Sequence, residues 1–174
     1  EFDEPRLIDA VRTTFLDAVR LRLRSDVPVG VLLSGGTDSS AIAAALHHVA
    51  PGRSDIKLIS AIGVDGAHEQ LFIDAVATHL NRQVEKVRLN YSPQAAFELL
   101  GHVSWFNDQP VGSFSAVAHY LLMSRARELG VTVVLSGQGA DEILCGYTKY
   151  VGFYLQGLLR AGRWPQATQM LGSF

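Results

Sequence analysis

The stretch that most constrains this chain is Val29 to Ser40, where a short apolar run is cut off by Ser-Gly-Gly-Thr-Asp-Ser-Ser. Val29 to Leu33 is apolar apart from Gly30. Such a run, bounded by turn formers, reads as a strand buried on both faces, the kind found inside a parallel sheet. A run of mostly small residues from Ser39 to Val49 follows at once and reads as a helix. Between them, Gly35 and Gly36 let the backbone turn tightly and let a ligand come close to it. Hydroxyls from Ser34, Thr37, Ser39 and Ser40 gather beside the free N–H groups of the helix start, an end that favours anions. A Walker A loop would need a second glycine followed by Lys-Ser/Thr, and this loop carries the acid Asp38 instead. An acid beside bound phosphate makes physical sense when Mg²⁺ lies between them.

The rest of the chain continues the alternation of strand and helix. Pro5 to Arg24 reads as a helix, with Leu7, Val11, Thr14, Ala18 and Leu21 forming one apolar or small face. Lys57 to Ile62 reads as a second buried strand. Glu69 to Leu80 is a helix whose stripe is Leu71, Phe72, Ala75, Val76 and Leu80. Val84 to Leu89 alternates and reads as a strand near an edge. Pro93 to Trp105 is helical, Asn107 to Ser113 a loop, and Ser115 to Leu129 a long helix. Val131 to Leu135 is a strand, and helices are expected from Asp141 and over Tyr150 to Arg160. The pattern predicts an α/β domain with a parallel sheet and helices on both faces. No repeat or linker divides it, so residues 1–174 are expected to be one domain. In such sheets ligands bind beyond the carboxyl ends of the strands. Ser34-Gly35-Gly36 and Ser136-Gly137-Gln138-Gly139 both lie at strand ends, and if those strands are neighbours both loops face one crevice.

Composition narrows the class. A chain of 174 residues with 48% hydrophobic and 18% charged residues can bury a real core. A net charge of −2 without a basic stripe argues against nucleic-acid binding. Arg20, Arg22 and Arg24 read as a solvated helix end, where cations are favoured. The lone Cys145 rules out an internal disulfide and points to a reducing, cytoplasmic compartment. No apolar run is long enough to span a bilayer, so no membrane partner is expected. The histidines have no metal-ligand spacing, and His47-His48 reads as a helix surface. Trp105 and Phe106 are expected in the core, and Cys145 as a buried helix cysteine. Asn107-Asp108-Gln109-Pro110 reads equally as a turn or as a border of a substrate site. The start Glu1-Phe2-Asp3, without methionine, reads as a piece of something longer.

The second loop reads Leu135-Ser-Gly-Gln-Gly-Ala-Asp-Glu-Ile-Leu-Cys-Gly-Tyr147. Taken alone, Asp141 and Glu142 read equally as complements to a helix dipole or as functional acids. Paired with Ser34 to Ser40 they carry more weight. Ser-Gly-Gly-x-Asp-Ser resembles the pyrophosphate loop of the ATP pyrophosphatases. The two motifs together resemble the synthetase domain of glutamine-hydrolysing asparagine synthetases, where Ser-Gly-Gly-x-Asp-Ser-Ser is followed by Ser-Gly-x-Gly-x-Asp-Glu-x-x-x-Gly-Tyr. Asp26-Val27-Pro28-Val29-Gly30 and Leu122-Met123-Ser124-Arg125 also look like that family, so the resemblance covers most of residues 6–150.

The resemblance implies an adenine-nucleotide α-hydrolase-like (PP-loop) fold and an ATP-dependent ligase. In that family ATP activates the aspartate side chain as an acyl-adenylate, releasing pyrophosphate, and ammonia derived from glutamine then attacks. By the same resemblance, Ser34, Gly35, Gly36, Asp38, Ser39 and Ser40 match the pyrophosphate loop. Leu33, Ile62, Ser136 and Gly137 match positions around the nucleotide, and Asp38 and Asp141 match the acids that hold Mg²⁺. Asp38, Gln138 and Asp141 are the catalytic candidates. Its cofactors would be ATP and Mg²⁺. Its partners would be small-molecule substrates and a glutaminase domain in the full-length protein, with a homodimer a candidate assembly. Gln138 stands where the best-known members carry glutamate, and Cys145 where glycine is usual. The glutaminase domain and the stretch that supplies a catalytic lysine lie outside this sequence, so it is expected to be a truncated fragment, incomplete as a catalyst. Two alternatives stay open. One is a related ligase for another carboxylate, such as a β-lactam synthetase-like enzyme, whose members carry tyrosine at the Gln138 position and lack the Asp-Glu pair. The other is a non-catalytic nucleotide-binding fragment.

Overall fold

The computed structural model describes residues 3–63, 66–89 and 91–172. The chain divides into two compact units, Glu1–Ser136 and Gly137–Phe174.

The first unit is built on four parallel strands: β1 (Val29–Leu32), β2 (Lys57–Ile62), β3 (Val84–Arg88) and β4 (Val133–Leu135), in the order β3-β2-β1-β4. Val31 is level with Leu58 on one side and Leu135 on the other. This interior position is why the apolar run at Val29 reads as buried on both faces. β3 is an edge strand, as its alternation predicts, and carries Lys86 and Arg88. The helices are α1 (Glu4–Arg22), α2 (Thr37–Val49), α3 (Ala67–His79), α4 (Pro93–Phe106) and α5 (Phe114–Glu128). The larger core joins Val19 of α1, Ala43, Ala45 and Leu46 of α2 and Ile73 of α3 to Val31, Leu58 and Ile62 of the sheet. Ile59, pointing the other way, packs with Ala126 of α5 and Val131. The sheet is therefore covered on both faces, as the alternation of elements requires.

Local chemistry sets the helix ends. The Asp3 carboxylate accepts from the Arg6 N–H at 3.2 Å, Pro5 sits in the first turn of α1, and Arg20 and Arg22 close its last turn. Ser92 caps α4 by accepting from the Ala95 N–H at 3.2 Å.

Three expectations about packing need correction. In α1 the residues that meet the core are Leu16 and Val19, with the C-cap Leu23, whereas Leu7, Val11, Thr14, Ala18 and Leu21 are exposed. In α3 the buried residues are Ile73 and the following Leu80, and Leu71, Phe72 and Ala75 are exposed. Trp105 and Phe106 are 80% and 62% exposed, because Val103 is the residue of that turn that faces inward. Phe106 and Tyr120 instead form a surface cluster with His102.

The second unit holds α6 (Ala140–Leu144), α7 (Thr148–Arg160) and α8 (Trp164–Leu171). α7 and α8 pack together, with Leu158 and Ala167 as their buried residues. The sequence reading did not include α8. Among the described residues no helix is long and apolar enough to cross a membrane.

Candidate functional site

After β1 the chain runs through β2 to β3 on one side, then crosses to β4 on the other. The order of the strands therefore reverses between β1 and β4, and in open parallel sheets that reversal opens a crevice beyond the strand ends. β1 and β4 are parallel neighbours, so Ser34 and Ser136 leave the sheet at the same end. Leu33 continues the strand, its N–H donating to the Ile59 carbonyl at 2.9 Å. Leu33 and Ile62 bury their side chains in the core, at 1% and 5% exposure, which leaves backbone to face the crevice.

The two glycines do different work. Gly35 has φ +78°, and a Cβ there would lie 2.8 Å from the Phe72 Cβ and 3.0 Å from the Ile73 nitrogen. Its close approach is to α3. Gly36 has φ −71° and ψ 163°, and the nearest atom to a Cβ there would be the Ser34 hydroxyl at 3.3 Å. Nothing in the fold requires glycine at that position.

Hydroxyls hold the loop in shape. Ser39 Oγ accepts from the Ser34 N–H at 3.1 Å and donates to the Gly36 carbonyl at 3.2 Å. Ser34 Oγ lies 2.9 Å from Ser39 Oγ and accepts from the Gly36 N–H at 3.3 Å. With Ser34 donating to Ser39, every hydroxyl proton has one acceptor and the ring closes on itself. Among the described residues no side chain caps the start of α2 at Thr37, which leaves the first N–H groups of the helix without a capping partner. Asp38 sits in that first turn, half-buried, and makes no ion pair among the described residues. The Ser40 hydroxyl is buried and has no partner among the described residues. An open helix start with donors and one carboxylate is suited to an anion that arrives with a cation.

The first unit thus brings together Leu33, Ser34, Gly35, Gly36, Asp38, Ser39 and Ser40, with Ile62 ending β2 and Ser136 following β4. Gly137, Gln138 and Asp141 belong to the second unit. There Gly139, at φ +90°, precedes α6, whose first turn carries Asp141 and Glu142. Gly146 lies so close to the Asp141 carboxylate that a side chain would collide with it. Gln138 is exposed. The Tyr147 hydroxyl donates to Glu142 Oε1 at 2.8 Å. That bond holds the Glu142 carboxyl below its usual range and raises the Tyr147 hydroxyl. Cys145 is not a buried helix cysteine: it is exposed and caps α6 in the left-handed region, at φ +58°. A five-residue helix ends before that position could turn inward.

Sequence reasoning did not identify Phe72 and Ile73 as the wall behind Gly35, nor Tyr147 as the partner of Glu142. The Gly-Tyr ending of the second motif was the available signal for Tyr147. Among the described residues no group of three or more His, Cys, Asp or Glu side chains could hold a metal. His47 and His48 are exposed, as expected of a helix surface.

The asparagine synthase family description matches residues 10–172. A Methanocaldococcus jannaschii protein described as a candidate glutamine-hydrolysing asparagine synthetase 2 is 33% identical over 99% of this chain and 32% of its own length. Glutamine-hydrolysing asparagine synthetase 1 of Bacillus subtilis is 34% identical over 85% of this chain and 23% of its own. The chain thus spans about a third or less of these relatives. Among solved structures, glutamine-dependent NAD+ synthetase from Acinetobacter baumannii in complex with ADP superposes with a TM-score of 0.51 at 20% identity, covering 76% of this chain and 26% of that one. That likeness shows a shared fold.

Proposed function

The chain belongs to the asparagine synthase family, and on that premise we propose that it carries the nucleotide site of an ATP-dependent amide-forming ligase. The reaction we assign is activation of the aspartate side-chain carboxylate. A carboxylate oxygen attacks the α-phosphorus of ATP, the bond to the β-phosphate breaks, and pyrophosphate leaves. Ammonia then attacks the acyl carbon of the adenylate, AMP departs, and the nitrogen gives up a proton to yield the amide. In the full-length protein the ammonia comes from glutamine through a glutaminase domain.

The observation that supports this reading best is the uncapped start of α2, with its hydroxyl-braced loop, at the carboxyl end of β1. Gly36 and the N–H groups of Thr37 and Asp38 are assigned to the leaving pyrophosphate, with Ser34 and Ser40 beside them. Oriented N–H groups lower the barrier by meeting charge as it develops. Gly35 shapes the turn, and Leu33, Ile62, Ser136 and Gly137 are assigned to the nucleotide's surroundings. Gln138 can donate and accept hydrogen bonds but cannot take a proton at neutral pH. We assign it to orienting the acceptor or adenylate.

The donors present fit Mg²⁺. It binds hard oxygens and takes one or two carboxylates, with phosphates and water supplying the rest. Asp38, a carboxylate with no cationic partner among the described residues, suits that role, and Asp141 is assigned the same role. When bound, the ion would neutralise charge on the phosphates.

The test is carboxylate-dependent exchange of labelled pyrophosphate into ATP by the full-length protein, run over a panel of amino acids and other carboxylic acids. Exchange that requires aspartate supports the reading. Exchange that requires a different acid keeps the chemistry and replaces the substrate. No exchange with any acid, alongside intact folding, refutes it.

A further inference from the structure

Two adjacent serines in the loop are treated differently by the fold. Ser39 is 6% exposed and its single hydroxyl serves three partners: the Ser34 N–H, the Ser34 hydroxyl and the Gly36 carbonyl. A hydroxyl has one proton and two lone pairs. Donation to the Gly36 carbonyl uses the proton, and the two Ser34 groups use both lone pairs. Ser39 has nothing left to offer a phosphate while the loop keeps this shape. The Ser40 hydroxyl has no partner among the described residues, although its atom is buried. Its backbone N–H is already spent on the Gly36 carbonyl at 3.0 Å. A buried hydroxyl left without a bond is costly unless something completes it.

We propose that Ser39 is a positioning residue that holds the loop in its ligand-ready shape without touching the phosphates. The inference rests on the assignment of Ser34 to Ser40 as a pyrophosphate loop. Ser39 joins the two ends of the turn, since one side of its hydroxyl faces Ser34 and the other Gly36. Release of this pin leaves the Gly36 carbonyl to the Ser40 N–H alone and lets the turn open. The loop must then be ordered at the moment of binding, and affinity falls because the competent shape is only partly populated. The Ser40 hydroxyl makes no bond within the turn, so its loss leaves the turn closed.

The experiment is amide hydrogen exchange by NMR on the ligand-free protein, followed by calorimetric titration with inorganic pyrophosphate and Mg²⁺. The Ser34 and Gly36 amides report the ring. The Leu33 amide, bonded to the Ile59 carbonyl in the sheet, is the internal reference. Loss of one such bond corresponds to about a fivefold to tenfold rise in opening. Ser39→Ala should therefore speed exchange at Ser34 and Gly36 by about that factor, leave Leu33 unchanged and weaken pyrophosphate binding. Ser40→Ala, the neighbouring control, should leave all three amides unchanged. Unchanged loop exchange in Ser39→Ala with weakened binding would make Ser39 a direct contact and overturn the proposal. Equal acceleration at Leu33 would make it a general stability residue and also overturn it. If the wild type binds no pyrophosphate, the pyrophosphate-loop assignment itself fails, while faster exchange confined to Ser34 and Gly36 would still support the loop-holding role of Ser39.

Discussion

Gly35 and Gly36 stand side by side, and replacing each with alanine should cost the fold very different amounts. At Gly35 an alanine must adopt φ +78°, a left-handed conformation that costs about 1–2 kcal/mol for a residue with a Cβ. That Cβ would also lie 2.8 Å from the Phe72 Cβ and 3.0 Å from the Ile73 backbone nitrogen. The helix backbone cannot step aside cheaply, so overpacking adds about 1–3 kcal/mol. Alanine's lower freedom in the unfolded chain offsets about 0.4–1 kcal/mol. The net expectation for Gly35→Ala is a loss of about 2–4 kcal/mol. At Gly36 the backbone is extended, φ −71° and ψ 163°, and only the Ser34 hydroxyl is near, at 3.3 Å. Glycine is a better helix N-cap than alanine, which leaves a cost below about 1 kcal/mol for Gly36→Ala. Urea unfolding followed by far-UV circular dichroism measures both, with an unchanged slope confirming that the transition is comparable. If Gly36→Ala is as destabilising as Gly35→Ala, or if Gly35→Ala is neutral, the contact of the loop with α3 is wrong.

Three further outcomes are expected. Cys145→Gly should stabilise the protein by about 0.5–1 kcal/mol, because the left-handed strain at φ +58° is relieved and only partly offset by greater unfolded-state freedom; thermal melting should show a higher midpoint, and Cys145→Ala should show no such gain. Tyr147→Phe should return the Glu142 carboxyl towards its ordinary value of 4.5, read by carbon NMR titration. The native carboxyl is held low, so this bond stabilises the fold above that ordinary value and the contribution is lost as pH falls through the native pKa; the variant's stability deficit should therefore shrink in acid. In the full-length protein Gln138→Ala should slow amide formation by a factor corresponding to about 1 kcal/mol while ATP affinity holds, and equal losses in both would move Gln138 into the nucleotide site.

What could be read from the sequence depended on whether a signal names a conformation or a neighbour. The run at Val29 announced an interior strand because burial on both faces removes alternation, and β1 is flanked by β2 and β4. Val84 to Leu89 alternates, and β3 is an edge. The helical period of α1 was correct, yet its face was not, because periodicity states which residues share a face and not which face another element covers. The core receives Val19, with Leu16 and Leu23 packed against it. Trp105 and Phe106 are exposed for the same reason, since their turn buries Val103. At the loop, the residue types and their place at a strand end were legible. The split between a glycine that α3 requires and a glycine that it does not was hidden, because Phe72 and Ile73 lie far along the chain. The exposure of Cys145 is not legible because a left-handed cap on a five-residue helix leaves no periodic trace.

The central claim is that the loop from Ser34 to Ser40 holds nucleotide phosphates with a metal ion beside Asp38. Calorimetric titration of ATP into the protein, with Mg²⁺ and with a chelator, and repeated on Asp38→Ala, tests it most directly. The expected result is weak binding that tightens at least about tenfold, or 1.4 kcal/mol, with Mg²⁺, and loses that gain in Asp38→Ala. Equal affinity with and without Mg²⁺, or an Asp38→Ala variant that keeps the full metal dependence, would contradict it.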